Sequence, residues 1–263
     1  MKLIYFPRSF AGLARAGLAV IMLALALLGS ARPAAAASVN AAPSGSGFNI
    51  SGVGNGQILF YGLQQPYINS NGVLTWPSGA DVKYTFGNGS TILFLGGLRP
   101  NTTYHWALGN SYGTLGKTLQ RRVDISFNAI TVTNDSDSTG AGELYYFFKA
   151  NGVYHSELDF YRSTSATVTF NPNRSISAIF NGNAFMSLAV ELVDDDCTFS
   201  TCKPTNPTFS RYGDNGDFEW ATGATSIDFS SVNTNYVQKT VSYSANEFVM
   251  AFSGTALVTV WYY

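Results

Sequence analysis

The sequence predicts an all-β protein: two β-sandwich domains that follow a cleaved signal peptide. Past the N-terminal segment no helical period of useful length occurs, and apolar residues instead alternate with polar ones, as strands with one buried face require. In the run RRVDISFNA the apolar positions are Val123, Ile125 and Phe127, and the phase then shifts to Ile130 and Val132. A phase shift inside one strand predicts a β-bulge.

Asn-Gly pairs separate several of the alternating runs. Asn151-Gly152 and Asn181-Gly182 each lie between two predicted strands, where a tight primed turn needs positive φ. A 263-residue chain without its signal leaves about 226 residues, which is long for one sandwich of short strands. We therefore predict two sandwiches.

The N-terminus has the three parts of a secretory signal. Lys2, Arg8 and Arg15 precede the apolar run LAVIMLALALLGS, and A-x-A cleavage sites end at Ala36 or Ala37. The run is too short for a membrane anchor, which needs about 20 apolar residues. We predict a signal peptide over residues 1–37, of a length typical of bacteria, no transmembrane segment after its removal, and a secreted or cell-surface protein.

The charge balance argues against nucleic acid as a partner. Four of the 15 basic residues and none of the 16 acidic ones lie in the signal, so the mature chain carries 11 basic and 16 acidic residues. Phosphate binding needs clustered Lys and Arg, and only Arg121 and Arg122 are adjacent in the mature chain. Charged residues make up 12% of the chain, so its surface must consist largely of hydroxyl, amide and aromatic groups.

A Ser/Gly-rich stretch over residues 38–55 is predicted to be a linker, and a first domain follows over residues 56–120. Its segment GGLRPNTTYHWALGN contains Leu98-x-Pro100-x-Thr102-x-Tyr104. This spacing resembles the tyrosine corner of fibronectin type III domains. The resemblance implies that the Tyr hydroxyl bonds back to the backbone of its own corner.

The same resemblance implies that Trp76, in GVLTWP, is the core tryptophan and that VKYTFG forms the next strand. Only 28 residues separate Trp76 from Tyr104, fewer than the family usually has, so a middle strand is expected to be shortened or missing. The alternative is an ordinary β-turn.

The second domain, residues 121–263, contains two acidic loops, one after an early strand and one after a later strand. This layout loosely resembles the C-two class of calcium-dependent β-sandwiches, in which both loops lie at one end. Five separate strands between the loops would place them at opposite ends. Convergence requires ATVTFNPNRSISAIF to be a single interrupted strand, and Pro172, which lacks a backbone donor, is compatible with a break there.

The acidic loops are the candidate metal site. Calcium takes six to eight oxygen ligands from flexible loops. Consecutive aspartates repel one another, which favours a bound cation or a basic neighbour such as Lys203 or Arg211; the alternative is solvated turns. Glu191 and Glu219 flank the second loop. The predicted calcium ligands are Asp135, Asp137, Glu143, Asp194, Asp195, Asp196, Asp214 and Asp217.

Cys197 and Cys202 lie beside the second acidic loop. In an oxidising compartment we predict that they form a disulfide, which fixes this turn. Two thiolates supply only half of a zinc site, and no second pair or nearby His completes one.

No catalytic motif accompanies the two histidines, His105 and His155, so we predict a protein that is not an enzyme. The expected function is binding or adhesion outside the cell, with an extracellular glycan or protein as partner. Two alternatives remain: an outer-membrane barrel protein, suggested by the aromatic terminal strand LVTVWYY, and a secreted hydrolase that uses paired carboxylates.

Overall fold

A computed structural model describes residues 37–135, 143–154, 159–162, 167–182, 184–195, 204, 207–215 and 218–263. Strands make up all of the regular structure in these ranges, which confirms the all-β class. The described part of the chain has no helix that could cross a membrane. The predicted signal peptide lies almost wholly outside the described residues.

Twenty strands occur in the described ranges. In chain order they are β1 Asn40–Ser44, β2 Gly47–Ser51, β3 Ile58–Gly62, β4 Tyr67–Ile68, β5 Leu74–Thr75, β6 Val82–Phe86, β7 Leu93–Leu95, β8 Thr103–Leu108, β9 Ser111–Lys117, β10 Arg121–Asn134, β11 Glu143–Ala150, β12 Val153–Tyr154, β13 Asp159–Arg162, β14 Val168–Phe170, β15 Arg174–Ile179, β16 Phe185–Asp195, β17 Tyr212–Asp214, β18 Phe218–Asp228, β19 Tyr236–Asn246 and β20 Ala251–Tyr262.

The chain divides into two compact units. The smaller unit consists of residues 37–39, 52–89 and 105–114, and the larger consists of the described residues within 40–51, 90–104 and 115–263. The smaller unit contains β3 to β6 and parts of β8 and β9. Of these strands, β3, β6, β8 and β9 belong to one sheet, in the order β6-β3-β8-β9. A two-stranded sheet, β4-β5, accompanies it.

Two sheets form the body of the larger unit. Sheet I has the order β14-β10-β20-β19, with β15 also paired to β10, and sheet II has the order β12-β11-β16-β18-β17, with β13 also paired to β11. One hydrophobic core contains residues from both sheets. At its centre the rings of Phe127 in β10 and Phe148 in β11 stack with centroids 3.8 Å apart. The sheets therefore bury their apolar faces against each other.

The predicted bulge occurs in β10. The pairing of β10 with β20 shifts register between Phe127 and Ile130, where the sequence alternation changes phase. Residues on both sides of the shift, including Val132, face the core. The extra residue thus keeps a 14-residue strand apolar on one face along its length.

In two places, two short strands that are separated by a break in the chain pair with the same side of one long strand. Both β14 and β15 run antiparallel to β10, at Val132 to Ile130 and at Phe127 to Arg122 respectively, and Pro172 lies between them. In the same way β12 and β13 both run antiparallel to β11. The strands between the two acidic loops therefore occupy four positions, and the strand ends that flank the two loops lie at the same end.

One of the two Asn-Gly predictions is confirmed. Asn151 and Gly152 have φ of 48° and 82° and join β11 to β12, as a primed turn requires. Asn181 and Gly182 do not have positive φ. The prediction of a hairpin there is wrong because β15 and β16, which this pair joins, belong to different sheets.

Residues 40–51 form a hairpin, although the sequence predicted a linker there. β1 pairs with β2, and β2 pairs with β7 in a three-stranded sheet. Phe48 and Ile50 are buried, which makes this segment part of the larger unit. Ser and Gly residues around them concealed these two apolar positions.

The corner at Tyr104 has the hydrogen bond that the sequence resemblance implied. The Arg99 amide donates to the Tyr104 hydroxyl at 3.0 Å, and Leu98 is fully buried beside it. Trp76 differs from expectation: it lies just after β5 and is half-buried. The buried tryptophan of this region is Trp106 in β8, while VKYTF does form a strand, β6.

Candidate functional site

Acidic residues meet in a row across the end of sheet II. The register pairs Asp214 of β17 with Glu219 of β18, Glu219 with Asp194 of β16, and Asp194 with Leu144 of β11. Directly opposed residues on adjacent antiparallel strands share a face, with Cβ atoms about 5 Å apart. Three carboxylates therefore follow one another along one edge of the sheet face.

This row is on the core face of sheet II. Asp194 continues the alternation of Leu192 and Leu188, and its exposed fraction is 1%. Asp135, which follows the last residue of β10, is 0% exposed. Since the segment after β10 leads directly into β11, Asp135 lies at the same end of the core as Asp194.

Buried carboxylates need compensation. Moving an ionised carboxylate out of water costs several kcal/mol unless hydrogen bonds, a counter-charge or a proton offsets it. Asp194 accepts a bond from the Asp195 amide at 3.0 Å. A cation bound at this end of the core would reduce the repulsion between the carboxylates of the row.

The structure places five of the predicted ligands. Asp135 and Asp194 are buried, Asp195 ends β16 and is half-buried, Asp214 ends β17 and is exposed, and Glu143 is the first residue of β11. Asp137, Asp196 and Asp217 lie outside the described residues, as do Cys197 and Cys202. The disulfide therefore stays a prediction.

Glu191, which the sequence analysis counted with the second acidic loop, has another role. It lies on the outer face of sheet II and is 1% exposed, under the segment 207–210. Its carboxylate accepts bonds from the Thr208 amide at 2.9 Å, the Thr208 hydroxyl at 2.9 Å and the Phe209 amide at 2.5 Å. Burial raises the pKa of Glu191, and these bonds only partly oppose that effect.

One of the two predicted basic neighbours is engaged elsewhere. The Arg211 Nε lies 2.7 Å from Glu247 Oε1, in an ion pair in which the Arg211 side chain is exposed. Lys203, the other candidate, lies outside the described residues. A role for Arg211 as the main counter-charge of the aspartates is thus not supported by its contacts.

The described residues alone do not complete a metal site. Within the parts of the chain that the structure describes, no three His, Cys, Asp or Glu side chains form a group that could hold a metal ion. Asp194, Glu219 and Asp214 offer carboxylate oxygens in one row, whereas calcium takes six to eight oxygens. The predicted ligands Asp137, Asp196 and Asp217, which lie outside the described residues, belong to the proposed site as well.

His105 is a strand residue with a structural contact. Its Nδ1 lies 3.1 Å from the Thr114 hydroxyl, and partial burial lowers its pKa. The contact joins the neighbouring strands β8 and β9. His155 lies outside the described residues.

Sequence reasoning missed a polar and aromatic group on the outer face of sheet I. Arg122, Asp124, Trp261 and Tyr263 line a shallow cleft of about 270 Å³ there. The signal that could have found it is the polar phase of RRVDISF, in which Arg122 and Asp124 alternate with buried residues. The aromatic end of the chain supplies the other two.

No protein-family model matches the chain. A comparison with curated proteins likewise gives no match.

Proposed function

We propose that this protein is an exported, non-catalytic binding or adhesion protein whose mature chain consists of two β-sandwich domains. In this proposal calcium orders the acidic loops of the second domain, and the protein binds an extracellular glycan or protein. A fibronectin type III-like first domain belongs to the proposal. The bond between Arg99 and Tyr104 supports the tyrosine corner, although both residues belong to the larger unit.

The convergence of the acids at one end carries the calcium proposal. Asp135, the row from Asp214 to Asp194, and the start of β11 all lie at the same end of the larger unit. Carboxylates that lie close together disfavour one another's ionised form, which favours a bound cation beside them. Calcium fits because the donors are carboxylate oxygens and the loops are long enough to wrap around an ion.

Calcium should act as a local stabiliser. Extracellular calcium modules have dissociation constants of roughly 0.1 to 1 mM, so about 2 mM calcium would add about 0.6 to 1.8 kcal/mol of stability. For a mature chain of this length, that corresponds to a melting-temperature rise of roughly 1 to 7 °C.

Thermal unfolding of residues 38–263 in chelator, in calcium and in magnesium tests the proposal. We expect calcium alone to raise the melting temperature, and we expect Asp194→Asn or the double change Asp135→Asn with Asp137→Asn to abolish the rise. Asp228→Asn is the matched control, since Asp228 is the last residue of β18 and Glu219 lies at the other end of that strand. An unchanged melting temperature in calcium would refute a calcium-ordered module.

A further inference from the structure

The outer face of sheet I contains a preorganised polar and aromatic cluster near the C-terminus. The register places Tyr236 opposite Trp261, Trp261 opposite Arg122, and Arg122 opposite Ile179, in one row across four strands. With strands about 4.8 Å apart, the row is roughly 14 Å long. The aromatic members are substantially exposed: Trp261 by 43%, Tyr236 by 45% and the adjacent Tyr263 by 59%.

Asp124 fixes the orientation of the groups around it. Its Oδ2 accepts a bond from Trp261 Nε1 at 3.2 Å, and its Oδ1 accepts bonds from Arg122 Nε at 3.0 Å and from the Ser177 hydroxyl at 2.5 Å. Burial raises the pKa of Asp124, but these three bonds outweigh it and hold the pKa below its ordinary value. The carboxylate is therefore ionised at neutral pH, and its bond to Nε1 holds the Trp261 indole in one orientation.

Uncharged groups lie beside Trp261 on this face. Trp261 packs against Tyr236 with centroids 4.5 Å apart and planes inclined by 53°. In the next row Gln238 Nε2 donates to Thr259 Oγ1 at 3.2 Å. Arg122 and Asp124 form an ion pair, so the charges of these two side chains offset each other.

We propose that this cluster is a binding site for a neutral glycan, which stacks the apolar face of a sugar ring on Trp261 and Tyr236 and bonds its hydroxyls to Arg122, Gln238 and Thr259. The proposal rests on the proposed binding function and names the ligand class and the site.

Three observations favour a neutral glycan over other ligands. A rigid aromatic ring with a few placed polar groups is the usual composition of a small-ligand site. A polyanionic glycan finds no excess positive charge here, and the mature chain is acidic overall. The cleft of about 270 Å³ is close in volume to a small-ligand site, which is on the order of 300 Å³ or more.

The site is separate from the acidic end. Arg122 is the second residue of β10 and Asp135 follows its last residue, which at about 3.3 Å per residue separates them by roughly 40 Å. Glycan binding at Trp261 should therefore be the same in calcium and in chelator. The calcium proposal and the glycan proposal can therefore fail independently of each other.

Affinity electrophoresis of residues 38–263 tests the site with named probes: hydroxyethylcellulose, xyloglucan, galactomannan, amylopectin and glycol chitin as neutral glycans, and heparin and polygalacturonate as anionic ones. We expect one or more neutral glycans to retard the protein. Trp261→Ala and Tyr236→Ala should each weaken that binding at least 10-fold, whereas Trp261→Phe, which keeps a stacking ring, should lose less.

Phe185→Ala is the matched control, because Phe185 is an aromatic residue on sheet II with 58% of its surface exposed. It should bind as the unmodified protein does, and thermal unfolding of every variant checks that the fold is kept. Retardation by none of the neutral glycans would overturn the proposal, as would binding that Trp261→Ala and Tyr236→Ala leave unchanged. Preferential binding to the anionic glycans, or Trp261-dependent binding to phosphatidylcholine–phosphatidylglycerol vesicles in place of glycan, would also overturn it.

Discussion

The carboxylate of Glu191 bonds both the backbone and the side chain of Thr208, with the amide nitrogen 2.9 Å from Oε1 and the hydroxyl 2.9 Å from Oε2. The Phe209 amide is a further donor to the same group, and Phe209 has φ of 47°. Segment 207–210 follows the second acidic loop. Glu191 therefore fixes the point at which the chain returns from that loop to sheet II.

Removing the Glu191 carboxylate should destabilise the protein strongly. In Glu191→Ala the Thr208 and Phe209 amides lose their acceptor under a covered surface, which costs about 2 to 4 kcal/mol. Urea denaturation of the variant measures the loss. Glu247→Ala removes a single ion pair, whose Arg211 side chain is 79% exposed, and should cost clearly less. Equal losses in the two variants would contradict the role of Glu191 as an anchor.

The raised pKa of Glu191 gives stability a particular pH dependence. The folded state holds the Glu191 proton more tightly than the unfolded state, whose value is 4.5. The contribution of Glu191 to the free energy of unfolding is therefore largest below pH 4.5 and is lost as the pH rises through the folded pKa. Urea midpoints of the unmodified protein and Glu191→Gln over a pH series should show a difference that shifts in favour of Gln as pH rises. A constant difference would show that Glu191 does not titrate in this way.

Much of the fold was predictable because alternation is a local signal. The apolar phase of β10 and its shift before Ile130 were both visible in the sequence. The choice between hairpin and crossover was not, since Asn181-Gly182 has the residues of a tight turn but joins two sheets. Strand pairing is set by contacts far apart in the chain, which period-two patterns do not contain.

The sites were less predictable because each depends on which face a residue occupies. Arg121 and Arg122 are adjacent, yet alternation buries Arg121 between the Phe180 and Phe229 rings and leaves Arg122 exposed beside Asp124. Whether the two groups of acids meet at one end depends on whether β14 and β15 run in the same direction beside β10, which the sequence did not show. Trp261 and Asp124 are 137 residues apart and are joined only by the pairing of β10 with β20.

The turn at Asn151-Gly152 should be sensitive to conformation alone. A Cβ on Gly152 would meet nothing within 4 Å, but φ of 82° is unfavourable for most side chains. Gly152→Ala should therefore cost about 1 kcal/mol, and Gly152→Asn less, because Asn tolerates the left-handed region. Thermal unfolding distinguishes the two variants. If Asn were no better than Ala, backbone conformation would not be the cause.

At Gly223, β18 lies close to the backbone of β19, which belongs to the other sheet. A Cβ there would lie 2.9 Å from the Ser244 carbonyl carbon and 3.0 Å from its amide nitrogen, and both atoms are backbone. In an open strand, Ala is favoured over Gly, so any loss in Gly223→Ala must come from forcing the sheets apart. We expect a loss of about 1 to 3 kcal/mol in urea denaturation. Ser226→Ala, an exposed change in the same strand, should stay within about 0.5 kcal/mol of the unmodified protein. If both variants were equally stable, the two sheets would not be in close contact at Gly223.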